Sequence, residues 1–255
     1  MFLTAVVLNC NNFMPMWSIC KKDLHQFFSN LTGYIAIILF LLVNGIFLFV
    51  LKDSNLFDFG YATLDNFFEL SPWILIFLVP AITMRSLSEE FKTGTFEILQ
   101  TKPLSNWQIV SGKYLSILIV LLFVIVPTFI YLLTIKNLSA SGNIDGGGIT
   151  GSYIGLFFLA AVFAAISLCC SSFSNNAVVA FLISAFVCLL LYFGFNALSK
   201  LPVFVGQADY YIEMVGIDFH YRSTSRGILD SRDILYYLSI IFLFLIITMH
   251  NLKKR

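Results

Sequence analysis

Six apolar stretches, each about as long as a bilayer is thick, constrain this chain more than any other feature. Crossing the hydrocarbon core takes about 20 apolar residues in a helix, the only single segment that satisfies its own backbone in lipid. The stretches cover residues 31–51, 67–84, 114–135, 153–170, 177–198 and 234–249. At 59% hydrophobic and 11% charged residues, the chain departs from the roughly 25% charged residues of soluble domains. We predict an all-α integral membrane protein, with residues 31–255 forming one six-span transmembrane domain.

The chain before the first span divides into two parts. Residues 1–15 contain a short apolar run but lack the basic region and the cleavage site of a signal peptide. We interpret them as an N-terminal extension, and we favour a true start at Met14 or Met16. Residues 16–30 combine Lys21 and Lys22 with apolar and aromatic side chains. This mixture predicts a helix that lies at the cytoplasmic surface of the membrane.

The longest polar, helix-prone stretch, residues 85–113, lies between the second and third spans; we call it the polar segment. Gly94 and Pro103 are expected to divide it into short helices. In it, charged and apolar side chains alternate: Glu89, Glu90, Phe91, Lys92, Phe96, Glu97, Ile98 and Leu99. Such a segment is too polar for lipid and too short to fold alone. We therefore predict an amphipathic surface that a soluble partner can bind.

The distribution of Lys and Arg predicts the orientation of the spans. Of the 15 such residues, nine lie in segments 16–30 and 85–113 or at the C-terminal end, against six in the alternate segments. This bias places both termini, the polar segment and the short turn at 171–176 in the cytoplasm. Residues 52–66, 136–152 and 199–233 are then expected to face outside.

A nucleotide site is not supported by the glycine motifs. The tripeptide Ser111-Gly112-Lys113 resembles the end of a phosphate-binding loop, but position 107 is Trp and position 114 is Tyr. The motif requires Gly and Ser or Thr at these two places. Gly146-Gly147-Gly148 follows no strand, and we expect it to form a flexible outer loop. We predict that the chain has no nucleotide site of its own and is not an enzyme.

Metal and nucleic-acid binding are also not indicated. The five cysteines lack metal-ligand spacing. Asp218 and His220 on the outer segment could bind a metal ion, but a solvated pair is the favoured interpretation. We therefore predict no metal, no cofactor and no nucleic-acid partner.

Small residues recur at helical spacing on the fifth span, at Ala180, Ser184 and Cys188. Such residues let two helix backbones approach closely in lipid. Two interpretations stay open: packing within the subunit, or a seam with a second copy or a sister subunit. Pro80 and Pro127 are expected to kink the second and third spans, which lead into and out of the polar segment.

Residues 84–115 resemble the cytoplasmic coupling segment of the ABC-2 class of ABC transporter permeases. The matching pattern consists of an acidic pair, a basic residue, Gly-Thr, an acidic residue, an aliphatic pair, a proline and a closing Gly-Lys. These are Glu89-Glu90, Lys92, Gly94-Thr95, Glu97, Ile98-Leu99, Pro103 and Gly112-Lys113. Position 91 is Phe, where the family often has a second basic residue.

A second likeness is more specific. The sequence Ser-Arg-Gly-Ile-Leu-Asp at 225–230, with the stretch that opens at Met16, resembles the gliding motility-associated ABC transporter permease subunit of Bacteroidetes bacteria. The resemblance covers residues 16–255. It implies a six-span permease in the bacterial inner membrane, which works with an ABC ATPase subunit and with a second permease copy or sister membrane subunit. Its implied role is export or assembly at the cell surface, linked to gliding motility.

The resemblance also implies which residues couple the permease to its ATPase. Eight residues of the polar segment are candidates: Glu89, Glu90, Phe91, Lys92, Thr95, Phe96, Glu97 and Leu99. The alternative to a role in gliding motility is an ABC-2 permease for another substrate: a drug, a polysaccharide or the assembly of a copper enzyme. A secondary transporter or channel is a weaker alternative, because the spans supply few polar groups beyond Asn44, Ser167 and Ser184.

Overall fold

The computed structural model describes residues 2–50, 64–101, 104–138, 146–202, 206 and 209–254, without the side chains of 2–15, 32, 100 and 138. All regular structure in these ranges is helical. The helices are α1 (Phe2–Ser29), α2 (Leu31–Phe49), α3 (Asp65–Thr83), α4 (Arg85–Thr93), α5 (Thr95–Gln100), α6 (Asn106–Ile125), α7 (Phe129–Leu138), α8 (Gly146–Phe173), α9 (Ala177–Leu189), α10 (Phe195–Ser199), α11 (Asp209–Val215), α12 (Ile217–Thr224) and α13 (Ser231–Lys253).

Five of the described helical segments are long and apolar enough to cross a membrane. They are Asp65–Thr93, Asn106–Asn137, Gly146–Phe173, Ala177–Ser199 and Ser231–Lys253. A sixth is present if Met16–Ser29 and Gly33–Phe49, which meet at a bend of 69°, count as one broken span. In the first segment the apolar residues belong to α3, whereas α4 carries four charged side chains and extends beyond them. The prediction of an all-α, multi-span membrane protein is confirmed.

Helix α8 is the centre of the bundle. It packs against α3, α6, α9 and α13, and it also contacts α4 and α12. Alanines at the middle of α8 are buried and give neighbouring helices close access: Ala160, Ala161, Ala164 and Ala165. Dispersion contacts of this kind replace the hydrophobic effect as the attraction between helices in lipid.

The short helices lie at opposite ends of this bundle. At one end, the Tyr221 hydroxyl of α12 donates a 2.7 Å hydrogen bond to the carbonyl of Phe68, near the start of α3. At the other end, α4 follows the last residue of α3 after a single turn residue, Met84. We call these the α12 end and the α4 end. The segment at 199–233, predicted as an outer loop, thus contains two helices: α12 packs on α8, and α11 contacts α10 and α12.

Glycines permit a close backbone approach at the α12 end. Gly227 has a φ of +81°, and a Cβ placed on it would collide with the backbone of Gly148. A Cβ on Gly151 would in turn meet the carbonyl oxygen of Gly227 at 2.5 Å. The 225–230 sequence therefore lies directly against the first turns of α8, where only glycine fits.

Several local predictions can be compared with the structure. Gly94, with a φ of +70°, ends α4 as expected, whereas Pro103 lies outside the described residues. Pro127 lies in a 3-10 turn between α6 and α7, but Pro80 stays within a continuous α3. The expected loop at Gly146-Gly147-Gly148 is wrong, because these residues begin α8. The predicted N-terminal parts, 1–15 and 16–30, fall almost entirely within the single helix α1.

Candidate functional site

The polar segment forms a compact cap at the α4 end. Helix α4 buries Leu87 and Ser88 against the bundle and ends at Gly94, whose left-handed conformation lets α5 begin one residue later. The last part of the segment, residues 106–113, forms the first turns of α6 instead of a separate helix. Ser105 and Gln108 start α6 with reciprocal side-chain-to-backbone hydrogen bonds of 3.3 and 2.9 Å.

The structure brings the eight predicted coupling residues together on α4 and α5, but with different exposure. Three are exposed: Lys92, Thr95 and Glu97. Glu89, Phe91 and Leu99 are half-buried. Phe96 is buried and packs edge-to-face on Phe91, with ring centroids 4.9 Å apart. Ile98, which the prediction omitted, is 63% exposed and adds an apolar contact point to the same surface.

Glu90 belongs to a charge cluster that joins three helices, in which Lys113 is buried and Lys22 is 49% exposed. Its Oε1 atom lies 2.9 Å from Lys113 Nζ of α6 and 2.8 Å from Lys22 Nζ of α1. Lys113 Nζ also donates to the backbone carbonyl of Ser86 at 2.8 Å and lies 3.3 Å from Asp23 Oδ2. We call Lys22, Asp23, Glu90 and Lys113 the charge cluster; it ties α1, α4 and α6 together.

The electrostatics of the charge cluster keep Glu90 ionised. Burial by itself would raise the pKa of its carboxyl group, but the charge of Lys113 and hydrogen bonds from Lys22 and Lys113 outweigh burial and lower the pKa. The Lys113 side chain is only 1% exposed. A buried ammonium needs such partners, since an isolated buried charge is strongly unfavourable. Sequence reasoning missed the cluster, although Lys113 closes the motif quoted for the family.

A serine of α8 caps the start of α4. The hydroxyl oxygen of Ser171 accepts hydrogen bonds from the backbone N–H groups of Leu87 and Ser88, both at 3.2 Å. The same hydroxyl donates to the carbonyl of Met84 at 3.2 Å. The first N–H groups of a helix have no partner within the helix, so an outside acceptor stabilises it. Helix α4 is thereby attached to the central helix.

A cavity of 410 Å³ lies beside Lys92, one of the exposed residues predicted for coupling. It is lined by Lys92 and by the α8–α9 connection, including Phe173 and Asn176. Phe173 is 56% exposed there. The α4 end therefore presents a concave surface of mixed polarity, with an aromatic side chain at its edge.

The small residues of the fifth span face inward. Ala180, Ser184 and Cys188 are fully buried within the subunit. Cys188 Sγ lies 3.9 Å from the hydroxyl of Ser167 on α8. Packing within the subunit accounts for the spacing of these residues.

Asp218 and His220 do not form a joint site. Asp218 pairs with Arg222 and accepts a 3.0 Å hydrogen bond from Asn196. His220 Nδ1 lies 2.6 Å from Asp233 Oδ1, and its ring stacks on Tyr236. In the part of the chain that the structure describes, no group of three or more His, Cys, Asp and Glu side chains could hold a metal ion.

The family of the chain is shown by comparison with known protein families. Residues 17–208 match the ABC-2 family transporter protein, a range that exceeds half of the 255-residue chain and includes the whole polar segment. No match to a curated protein was found. Membership implies a multi-pass membrane subunit and an ABC ATPase partner. The chain therefore belongs to the ABC-2 family of transporter proteins and is a permease subunit of an ABC transporter.

Proposed function

We propose that the polar segment receives an ABC ATPase in the cytoplasm and passes its ATP-driven movements to the spans. One observation carries this proposal: the exposed residues of α4 and α5 adjoin contacts between α4 and three other helices. The charge cluster joins α4 to α1 and α6, and Ser171 joins it to α8. A load on the exposed surface therefore acts on the bundle itself.

The exposure of the eight residues assigns them different roles in this proposal. Lys92, Thr95 and Glu97 supply polar contacts to the ATPase, with the half-buried Glu89 beside them. Half-buried Phe91 and Leu99, with Ile98, supply the apolar contacts; buried aromatic and aliphatic anchors dominate many interfaces. Phe96 supports Phe91 from beneath. Glu90 transmits the displacement through Lys113 and Lys22.

The proposal places the subunit in a bacterial inner membrane with both termini in the cytoplasm. Nine of 15 Lys and Arg residues then lie on the cytoplasmic side, in agreement with the positive-inside bias. The charge cluster supports the same side for α1, because it holds Lys22 against α4.

A second permease copy, or a sister membrane subunit, completes the transporter in this proposal. Because the small residues of α9 face inward, the partner would meet the opposite face of the fifth span. That face exposes Val178, Leu182 and Phe186 at i, i+4 and i+8 spacing. The remaining exposed apolar surface faces the lipid bilayer.

We further propose a role at the cell surface, linked to gliding motility. The resemblance of residues 225–230 to the gliding-associated subunit supports it. Two of these residues, Ser225 and Gly227, contact α8 at the α12 end. Export or assembly of a surface component is the expected outcome of ATP hydrolysis.

Purification of the permease with its ATPase tests the coupling proposal. The variant carries Lys92→Glu and Glu97→Lys, two charge reversals on the exposed surface that leave the charge cluster intact. The control carries Lys200→Glu and Arg232→Glu, two exposed residues that lie outside both the polar segment and the 225–230 sequence. We expect the variant alone to lose the ATPase and the stimulation of ATP hydrolysis. Retention of the ATPase by both proteins would contradict the assigned surface.

Gene replacement in a gliding bacterium tests the link to motility separately. We expect cells that carry the coupling variant to stop gliding, and cells that carry the control variant to glide normally. If the variant loses its ATPase while the cells still glide, the motility link fails and the coupling surface stands.

A further inference from the structure

A cavity of 590 Å³ opens beside the charge cluster, among α1, α2, α3, α4 and α6. One wall is apolar and includes Leu78, Ile82 and Ile117. The rim at the α4 end is polar and charged. This volume is within the range of about 300–1,000 Å³ that is usual for small-ligand pockets. The cavity is amphipathic along its length, with charge at one end and apolar side chains at the other.

Two polar atoms at this rim lack a partner. Ser86 Oγ and Glu90 Oε2 are buried, and neither forms a hydrogen bond with any residue that the structure describes. The two residues lie one turn apart on α4, and both line the cavity. Buried polar atoms nearly always have a hydrogen-bond partner. A ligand that donates hydrogen bonds would satisfy the Glu90 carboxylate and the Ser86 hydroxyl together.

The charges at the rim narrow the chemistry of such a ligand. Lys22 and Arg85 are positive, whereas Asp23, Glu89 and Glu90 are negative. A purely anionic head group would meet three carboxylates, and a purely cationic one would meet two cations. A head group with both a phosphate and an ammonium matches both signs. The ammonium must also carry N–H donors, because the unpaired Glu90 Oε2 only accepts.

We propose that this cavity binds one bilayer phospholipid with a primary-amine head group. Its ammonium group donates to Glu90 Oε2 and Ser86 Oγ, and its phosphate lies against Arg85. The parts of its acyl chains nearest the head group contact the apolar wall. Ile35 and Leu39 of α2 line the cavity and are 50% and 47% exposed. The cavity is thus open on the α2 side, where the rest of the acyl chains can remain in the bilayer.

The bound lipid would act on the charge cluster, which links α4 to α1 and α6. Its head group completes the hydrogen bonding of Glu90, whose other oxygen already pairs with Lys113 and Lys22. The inference goes beyond ATPase coupling and does not depend on it, since lipid binding is a property of the permease subunit alone.

Lipid retention by the purified full-length permease tests this proposal. The protein is taken from vesicles of equal parts phosphatidylethanolamine and phosphatidylcholine, with matched acyl chains, and the retained lipids are counted by mass spectrometry. We expect phosphatidylethanolamine to be enriched about tenfold, since a trimethylated ammonium cannot make a charge-assisted hydrogen bond. Retention in the proportions of the vesicle would overturn the proposal.

A pair of tryptophan substitutions locates the site. Ala81 is exposed and lines the cavity, so Ala81→Trp fills it without displacing a buried side chain. Ile38→Trp is the control, since Ile38 is 60% exposed and is not part of the cavity lining. We expect Ala81→Trp alone to abolish the enrichment. Unchanged enrichment in a correctly folded Ala81→Trp protein would refute the site. If Ala81→Trp does not fold, the comparison of the two lipids on the wild-type protein still tests the proposal.

Discussion

Lys113 Nζ and Glu90 Oε1 lie 2.9 Å apart, in an ion pair that joins α6 to α4. The Lys113 side chain is almost completely buried, and its other partners are the Ser86 carbonyl and Asp23. The pair fixes where the polar segment sits on the bundle. Helix α4 cannot move relative to α6 unless these contacts move with it or break.

Removal of Lys113 is expected to destabilise the protein strongly. Lys113→Met leaves Glu90 with one ammonium partner instead of two and a largely buried charge. Loss of one partner of a buried ion pair typically costs about 3–5 kcal/mol. Thermal unfolding of the detergent-solubilised protein measures the effect. Lys92→Met is the matched control, because Lys92 is exposed, and equal stability of the two variants would contradict the role of the pair.

A double substitution tests whether the loss of stability comes from an unpaired buried charge. Replacing both Glu90 and Lys113 by Met removes the unpaired charge along with its partner. Replacement of a buried ion pair by apolar residues is often close to neutral. We therefore expect the double variant to be more stable than Lys113→Met alone. A double variant that is less stable than either single variant would show that the charges act independently.

The cap that Ser171 provides predicts a local effect. Ser171→Ala removes the acceptor for the N–H groups of Leu87 and Ser88, and loss of a helix cap costs about 1 kcal/mol. Hydrogen exchange at these two amides should become faster. Ser239→Ala is the control, since Ser239 is exposed on α13 and its hydroxyl donates to the carbonyl of Tyr236 in the same helix. Unchanged exchange at Leu87 and Ser88 would disprove the cap.

Comparison of Ala substitutions at two glycines with positive φ distinguishes the cost of backbone strain from the cost of steric collision. Gly227→Ala and Gly206→Ala both place a side chain in the left-handed region, at φ of +81° and +94°, which costs about 1–2 kcal/mol. A Cβ on Gly227 would also meet a backbone, whereas at Gly206 no atom of a residue that the structure describes lies within 4 Å. We expect a clearly lower melting temperature for Gly227→Ala. An equal decrease in melting temperature for the two variants would mean that the contact between Gly227 and α8 adjusts to the new Cβ with little loss of stability.

Labelling of single cysteines measures the proposed orientation. Thr95 and Tyr211 are exposed at the α4 end and the α12 end, respectively. In a background without the five native cysteines, we expect an impermeant maleimide to modify Tyr211→Cys in intact cells. Thr95→Cys should react only after the membrane is opened. The reverse pattern would invert the topology.

The sequence predicted the features that depend on neighbouring residues. Long apolar runs mark the spans because backbone in lipid must be helical, and Gly94 marks the end of α4 because glycine adopts a left-handed conformation readily. The start of α8 was missed for the same local reason. Three consecutive glycines favour a loop, but packing against Gly227 holds Gly148 and the residues around it in a helix.

Contacts between distant helices could not be predicted in this way. Lys113 and Asp23 are 90 residues apart, and Ser171 lies 84 residues beyond Leu87. Nothing in the local sequence shows that a serine at the end of an apolar span faces a helix start. Hydropathy likewise cannot show which face of the fifth span is turned inward, because lipid and neighbouring helices are both apolar.

Helix α8 touches the two ends of the protein through two of its serines. Ser171 caps α4 at one end, and Ser152 donates a 2.8 Å hydrogen bond to the carbonyl of Ser225 at the other. At 1.5 Å per residue, about 28 Å of helix separates them. A helix resists compression along its axis, so the distance between these two serines stays fixed when either end of α8 is displaced. In the proposed coupling mechanism, a displacement of α4 at Ser171 would therefore reach the carbonyl of Ser225 without a change in the length of α8.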